Sequence, residues 1–517
     1  MKQKFTSTIA GASIFISILG LLSRGLGFVR EMIFASNFGL ETEFDLYLVG
    51  AVLPITINTV LLFIGQNFLV PIFQKVNLSN SQESQKHYNQ AFILFFSTGI
   101  LIAFVLFLFS DQIIHIYMQE ATSESKELAS NIFRIFLITI PFSAGIAMLS
   151  ALLQTLYEFR YPSISVLFLN ISIIIMILLF TSDIGIYVIP TGYLIGTLLQ
   201  FSYLLVKSRN NFKLNVIDSF RELFLLKSFL GSTLLIILLI ESIGQLYSLF
   251  DRYFYGQISP GGIASLNYAY IIFLLPISIF SISLATVVFP KITNSISNSS
   301  TDELERIYND SISVNILIFL PITFVFFYFG DTIIKLAFER GKFLVESTAI
   351  TFTALKCYAV SLVFYSVYSV LNKIFYSINL AKTLLVITLC GILIKLILNH
   401  LLVGDYEQYG LAISTTISYL FFFTVSFLII NKKLNIKNRS LFFKDFSFHF
   451  INCGLSFIVT FLLANILTIS NIIFEIIAIL FFNIIYIINL IVLKHRSALM
   501  IHQVFQRLNL FGLSKTI

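Results

Sequence analysis

Two arginines, Arg24 and Arg30, stand inside the first apolar stretch of the chain, in the run Ser23-Arg24-Gly25-Leu26-Gly27-Phe28-Val29-Arg30-Glu31. A cation at mid-bilayer costs roughly 2.5–3.5 kcal/mol on insertion scales, so it is kept where it faces a polar cavity and something negative. A planar guanidinium offers paired donors that suit phosphate oxygens. Two or three of them around a wet cavity would grip a diphosphate. Gly25 and Gly27 loosen the helix beside Arg24. The rival reading is local: the arginines lie at a helix end and snorkel to the interface, or Arg30 pairs with the neighbouring Glu31.

Other charges share that apolar setting. Arg252 is a third candidate for the diphosphate, unless it pairs with its neighbour Asp251. Asp45, near the start of the second apolar stretch, pairs with one of these arginines, binds a coupling cation, or caps the start of its own helix, where acids are favoured. Lys356 and Lys395 are further cavity candidates, Glu241 and Glu475 are intramembrane acids without an assigned partner, and Arg134 reads as an interfacial residue. The chain lacks a Walker loop, and its six histidines are not at metal-ligand spacing. The reading is of a protein that is not an enzyme, with no metal site and no catalytic residue.

Composition says what must carry these charges. Of 517 residues, 57% are hydrophobic and only 11% charged, and the mean hydropathy is +0.92. Such a chain is a polytopic membrane protein, all-α, and its net charge of +7 is the mark of a basic cytoplasmic face rather than of nucleic-acid binding. Cys357, Cys390 and Cys453 read as small buried apolar side chains. With no tryptophan, 23 tyrosines must supply much of any interfacial belt.

About 20 apolar residues make one crossing. Fourteen stretches qualify: 8–37, 44–74, 89–110, 128–156, 162–181, 184–206, 227–255, 261–290, 309–329, 347–377, 383–403, 409–430, 446–468 and 470–493. The first is read as an uncleaved helix behind Lys2 and Lys4. Pro54, Pro141, Pro190, Pro276 and Pro321 fall inside spans and are expected to kink or break them. With both ends inside, 23 of the 33 lysines and arginines are cytoplasmic, four are outside and six lie at membrane depth, the asymmetry an even span number requires.

The chain also repeats. A shift of 222 residues sets Phe28-Val29-Arg30 over Phe250-Asp251-Arg252, Gly39 over Gly261, and Leu53-Pro54-Ile55 over Leu275-Pro276-Ile277. Shifts of 220 and 218 match Asp111-Gln112-Ile113-Ile114 to Asp331-Thr332-Ile333-Ile334 and Leu153-Gln154 to Leu371-Asn372. Six spans per copy is even, so the two repeats are parallel, with a site expected between them and Arg30 and Arg252 facing each other across it. The implied organisation is a six-helix lobe at 1–210, a second at 211–431, a basic linker at 432–444, two added helices at 445–494 and an amphipathic cytoplasmic tail at 495–517.

The opening run, with Asp45 and Leu53-Pro54, resembles the MurJ (MviN) lipid II flippase family of the MOP superfamily. So do Gly262 to Pro276 with Phe289-Pro290, the outer-loop motif Phe338-Glu339-Arg340-Gly341-Lys342-Phe343, and Gly410-Leu411-Ala412-Ile413-Ser414. The resemblance covers essentially the whole chain. It implies two six-helix lobes forming a V-shaped cavity, and two further helices making a groove for a lipid tail. It also implies the flipping of an undecaprenyl-diphosphate-linked saccharide from the inner to the outer leaflet. The family's cavity arginines map onto Arg24 and Arg30 and its span-2 aspartate onto Asp45. Two features depart: the family's arginine pair after the span-2 proline falls at Asn58 and Thr59, and its span-8 arginine at Ile271.

The expected function is a flippase of the bacterial cytoplasmic membrane, working by alternating access on lipid II or on a related O-antigen, capsule or exopolysaccharide precursor. The expected drive is the membrane potential or a coupling cation, Na+ or H+. Partners are the polyprenyl-diphosphate-linked glycan and membrane lipids, with envelope-synthesis enzymes as candidates. Two rivals stand behind it. A cation-coupled drug exporter would want an acidic or apolar cavity, against Arg24, Arg30 and Arg252. A non-transporting envelope scaffold would tolerate their loss.

Overall fold

The computed structural model describes residues 9–77, 81–212, 232–298, 301–467 and 472–499. The tail from 500 onward and the basic residues Lys213, Arg221 and Lys227 lie outside them, as does the Glu241 side chain. The described residues form helices and turns, with no strand among them.

Cα packing divides the chain into two compact units, residues 1–264 with 340–344, and 265–339 with 345–517. The first holds α1 (Ile9–Phe38), α2 (Thr42–Ile64), α3 (Val70–Asn77), α4 (Ser81–Leu108), α5 (Ser110–Tyr117), α6 (Ser123–Leu137), α7 (Thr139–Thr155), α8 (Arg160–Ile184), α9 (Val188–Ser208) and α10 (Ser232–Arg252). The second holds nearly all of α11 (Gly262–Pro276), then α12 (Ile282–Ser297), α13 (Thr301–Phe338), α14 (Val345–Ala359), α15 (Leu362–Ser377), α16 (Ala381–Lys433), α17 (Leu441–Leu467) and α18 (Ile472–Val492). The packing division falls at Ala264 rather than at the repeat boundary of 210, because α10 packs on α2.

Among the described residues nine helices are long and apolar enough to cross a membrane, and α14 with α15, bent by 50°, makes a tenth. Two of the nine run for 49 and 53 residues, too long for one crossing at about 1.5 Å per residue. They break at the 3-10 turn Gly185–Tyr187, just inside the stretch 184–206, and at Glu407, in the gap between 383–403 and 409–430. Dividing each in two and adding α1 and α10 accounts for all fourteen stretches.

The repeat is written in the turns. Gly39 and Gly261 have φ of 52° and 83°, Tyr157 and Asn379 have 60° and 56°, and Gly185 and Glu407 have 55° and 47°. Each pair is separated by the same 222-residue shift that aligns Phe28-Val29-Arg30 with Phe250-Asp251-Arg252. Left-handed backbone is rare outside glycine, so three such coincidences mark the same chain path twice.

Some expectations from the sequence hold and others are corrected. The stretch 128–156 lies in one apolar span, Ser123–Thr155, whose helix is interrupted at Ile138 between α6 and α7. Pro141 follows the interruption at Ile138 and Pro190 follows the 3-10 turn Gly185–Tyr187, so each does mark a break; both sit in the first turn of the helix that resumes, where the missing N–H is not needed. Pro54 leaves α2 continuous to Ile64, and the backbone departs from helix only at the π turn Gly65–Leu69. Pro276 does end α11, at a π turn over Ile277–Ser281. Cys390 is exposed on the outer surface of its helix and Cys357 is half-buried, whereas Cys453 is buried.

Small residues set the closest approach in the first unit. Gly192 and Gly196 put one face of α9 against α8, where an added Cβ would lie 2.8 Å from Ile173 Cα and 2.8 Å from Leu169 Cα. Without a hydrophobic drive between helices in lipid, such backbone contact is what holds them. The α8–α9 pair in turn packs on α1 and α7, which fixes the helices that carry the candidate site.

Candidate functional site

Arg30 projects from α1 into the first unit and is largely buried, its side chain 17% exposed. Its guanidinium donates from Nε and Nη2 to Glu31 Oε1, at 3.2 and 2.5 Å. Nη1 donates to Asn170 Oδ1 on α8 at 3.0 Å and to Tyr193 Oη on α9 at 3.3 Å. The cation also lies over the rings of Phe34 and Tyr193, at 5.5 and 5.7 Å. Phe34 meets Tyr47, Tyr47 meets Phe136, and Phe136 meets Tyr193, with centroids 5.1–6.2 Å apart. An aromatic cage around a desolvated guanidinium strengthens both its cation–π contacts and its ion pair. Four of the five N–H donors of Arg30 are already engaged, two of them by the neighbouring carboxylate. A phosphate seeking a bidentate grip here meets Glu31 first.

Asp45, on α2, is 1% exposed. Its Oδ2 accepts the backbone N–H of Gly261 and its Oδ1 that of Ala264, both at 2.6 Å. The aspartate thus caps the start of α11, not of its own helix, and the positive end of that helix offsets the buried charge. Asp251 and Arg252 close α10 and are buried, each 9% exposed. The Arg252 charge acts on Asp45, and Tyr47 feels both Arg30 and Arg252. Arg30 and Arg252 therefore belong to one electrostatic neighbourhood inside the first unit, together with Asp45, Glu31 and Tyr47.

The remaining candidates are dispersed. Arg24 is exposed on α1. Asn58 donates to Thr139 Oγ1 at 2.8 Å, and its buried Oδ1 has no hydrogen-bond partner. Thr59 folds its hydroxyl onto Ile55 O, and Ile271 is half-buried on α11. In the second unit the Lys356 ammonium sits over Phe352 at 4.0 Å, while Lys395 is 1% exposed within α16. Glu475 accepts a hydrogen bond from Thr332 Oγ1 at 2.8 Å.

The first unit holds two further features. Residues 340–344 pack on the α1–α2 turn, with Lys342 N–H donating to Ser36 O at 2.8 Å and Lys342 Nζ meeting Glu41 Oε2 at 2.8 Å. A cavity of about 740 Å³ is lined by Asp111, His115, Ser123, Lys126, Ser130 and Arg134. Arg134 grips both oxygens of Asp111 at 2.8 Å, so it is a paired residue.

The sequence did not point to Asn170, Tyr193 or Tyr47. A lone asparagine in the apolar run Leu167 to Ile175 was the available signal for the first. The tyrosines look like any others until the helices pack.

A family model described as lipid II flippase MurJ matches residues 34–496. A probable lipid II flippase MurJ from Borreliella burgdorferi is 27% identical over 434 residues, covering 82% of this chain and 83% of its own. The lipid II flippase MurJ of Thermosipho africanus is 26% identical over 414 residues, covering 80% and 83%. Among solved structures, a lipid II flippase MurJ in an inward closed conformation superposes with a TM-score of 0.79 at 24% identity, over 93% of this chain and 99% of that one. An inward-facing multidrug-resistance MATE transporter of the MOP superfamily follows at 0.65 and 15% identity, over 80% and 94%.

Proposed function

Since this chain belongs to the lipid II flippase MurJ family, we propose that it moves lipid II, an undecaprenyl-diphosphate-linked saccharide, from the inner to the outer leaflet by alternating access. The observation that carries the chemistry is the caged guanidinium of Arg30, buried in a unit otherwise built for lipid. Diphosphate displaces Glu31 from Arg30 and is held there with the help of Arg252, while Asn170 and Tyr193 keep the guanidinium plane fixed. Glu31 then serves as the resting counter-ion, so the cation is never bare in the empty transporter. The prenyl tail stays in lipid beside the last two helices.

The membrane is the bacterial cytoplasmic membrane, with both termini inside, in keeping with the distribution of lysine and arginine. The potential supplies the drive, an anionic headgroup moving outward under inside-negative voltage with up to about 2.3 kcal/mol per charge per 100 mV. Collapsing the potential without loss of flipping would remove that part of the reading.

Asn58, Thr59 and Ile271, standing where family arginines are expected, favour a second substrate, a related lipid-linked glycan of capsule, O-antigen or exopolysaccharide synthesis. Depletion followed by mass spectrometry of polyprenyl-diphosphate lipids, with an outer-leaflet accessibility assay, separates the two. Inner-leaflet lipid II accumulates if the first holds. A different lipid-linked glycan accumulates if the second does. Accumulation of neither, with no redundant flippase present, refutes both.

A further inference from the structure

Pro321 lies in the middle of α13. Having no N–H, it leaves the carbonyl four residues earlier, that of Leu317, without its helical donor. In a membrane such a carbonyl must find another partner. It finds one on α18: Tyr486 Oη donates to Leu317 O at 3.1 Å. The phenol has one proton and gives it to that carbonyl. Toward His449 it is therefore the acceptor, and His449 Nδ1, 2.7 Å away, carries the donated proton. His449 Nε2 is then free to accept from Ser497 Oγ at 3.0 Å. His449 is fully buried, so both ring nitrogens need these partners.

The same helix pair is tied to α13 at other levels. Ser313 donates to Asp445, and Arg496 pairs with Asp310. Further along, Thr332 meets Glu475, and Tyr328 stacks on Phe457 with centroids 3.9 Å apart. Within the pair, Asn489 donates to Asn452 Oδ1 at 2.9 Å and Asn452 donates to Tyr486 O at 3.1 Å. In lipid, where apolar faces have little reason to prefer one another to solvent chains, such polar contacts decide where a helix docks.

We propose that the carbonyl released by Pro321 is the socket that keys α17 and α18 to α13, with Tyr486 as the plug and His449 as the positioning residue that sets its proton. The pair then travels with the second unit as one body throughout transport. This rests on the flippase reading for its consequence, since the helices beside the prenyl tail keep a fixed place on that unit. The docking itself does not depend on it.

The test uses the full chain in proteoliposomes, with Cys357, Cys390 and Cys453 replaced by alanine and spin labels at Leu336 and Ile473. The expected distance distribution is single and narrow, unchanged by inside-negative voltage or by added undecaprenyl diphosphate. Tyr486→Phe should lower the docked-to-undocked ratio about three- to eighteenfold, the range of one interhelical hydrogen bond in a membrane, and broaden the distribution. His449→Phe should do the same. Pro321→Ala gives Leu317 back its helical donor and so closes the socket; it should broaden the distribution as Tyr486→Phe does, and Pro321→Ala with Tyr486→Phe should be no broader than either alone. A purely space-filling role for Tyr486 would leave Pro321→Ala narrow. A distance that changes with voltage or lipid, an unaltered distribution in Tyr486→Phe or in Pro321→Ala, or a double variant in which the two losses add overturns the proposal. Failure of the depletion experiment removes the flippase reading alone and leaves these distances to stand or fall separately.

Discussion

Replacing Glu31 by glutamine should tighten the binding of a diphosphate lipid and slow its passage. Glu31 takes two of the four hydrogen bonds that Arg30 donates, at 3.2 and 2.5 Å, and both side chains are largely buried, 17% and 10% exposed. A hydrogen bond to a charged group contributes about 1.5–3 kcal/mol against about 1 for a neutral pair. Glutamine keeps an acceptor beside the guanidinium and loses the charge, so each contact weakens by about 1 kcal/mol. A ligand that must displace both gains about 2 kcal/mol, roughly a thirtyfold fall in Kd. Asn170 and Tyr193 are untouched, so the geometry offered to the phosphate stays as it is. Binding of undecaprenyl diphosphate in nanodiscs measures the first quantity and flipping in proteoliposomes the second. Tighter binding with slower turnover is expected, because the carboxylate that helps expel the lipid has gone. Unchanged or weaker binding in Glu31→Gln would mean that the diphosphate does not exchange with Glu31, and Arg30 would revert to a structural ion pair.

Other residues yield further tests. Asp45→Asn leaves one acceptor for the two N–H groups of Gly261 and Ala264; an unsatisfied buried donor costs about 1–3 kcal/mol, so thermal stability followed by thiol-dye labelling of buried Cys453 should fall. Asn58→Arg, restoring a cation where the family's arginine pair is expected, should raise affinity for lipid II relative to undecaprenyl diphosphate alone if the lost arginines set headgroup choice; equal affinities for both would refute that. Burial holds the His495 imidazole below the ordinary histidine range, against the pull of Asp445 and with the push of Arg496. The folded state thus binds that proton less readily than the unfolded one, its contribution being present above the ordinary histidine value and lost as pH falls. Stability should start to drop as pH falls below about 7.5 and go on falling through the ordinary histidine range, with a shallower slope in His495→Asn.

The crossings were legible because lipid allows so few solutions. A stretch of about 20 apolar residues that must satisfy its own backbone is a helix, and each of the fourteen stretches falls on helix over most of its described residues. The breaks were less legible. Proline was read as a kink or a break wherever it fell; Pro141 and Pro190 do follow breaks, yet Pro54 lies inside α2, which runs on as helix to Ile64. The 50° bend between α14 and α15 has no proline at all. Partners were the least legible. Arg30 with Glu31 could be read from adjacency, but Asn170 and Tyr193 stand 140 and 163 residues away, and only the packing of α1 on α8, and of α8 on α9, brings them to the guanidinium.

Asp45 shows the same limit from the other side. Sequence allowed it to cap its own helix, since acids favour a helix start, and the chemistry was right while the helix was wrong: the N–H groups it holds belong to Gly261 and Ala264. The repeat explains why that connection is available. Gly39 and Gly261 turn the chain through left-handed backbone at matched places, so each copy presents a helix start just after such a turn. In the first copy the aspartate follows the turn, and at the matching position of the second stands Asn267. Only one copy has kept the carboxylate, and the backbone of the other provides the donors for it. Duplication thus fixed the path of the chain, which is why the turns still match at a shift of 222 residues. The side chains at those turns then diverged into complementary parts: Asp45 from one copy, and from the other the bare N–H groups at the head of α11 with Arg252 close enough to act on the carboxylate.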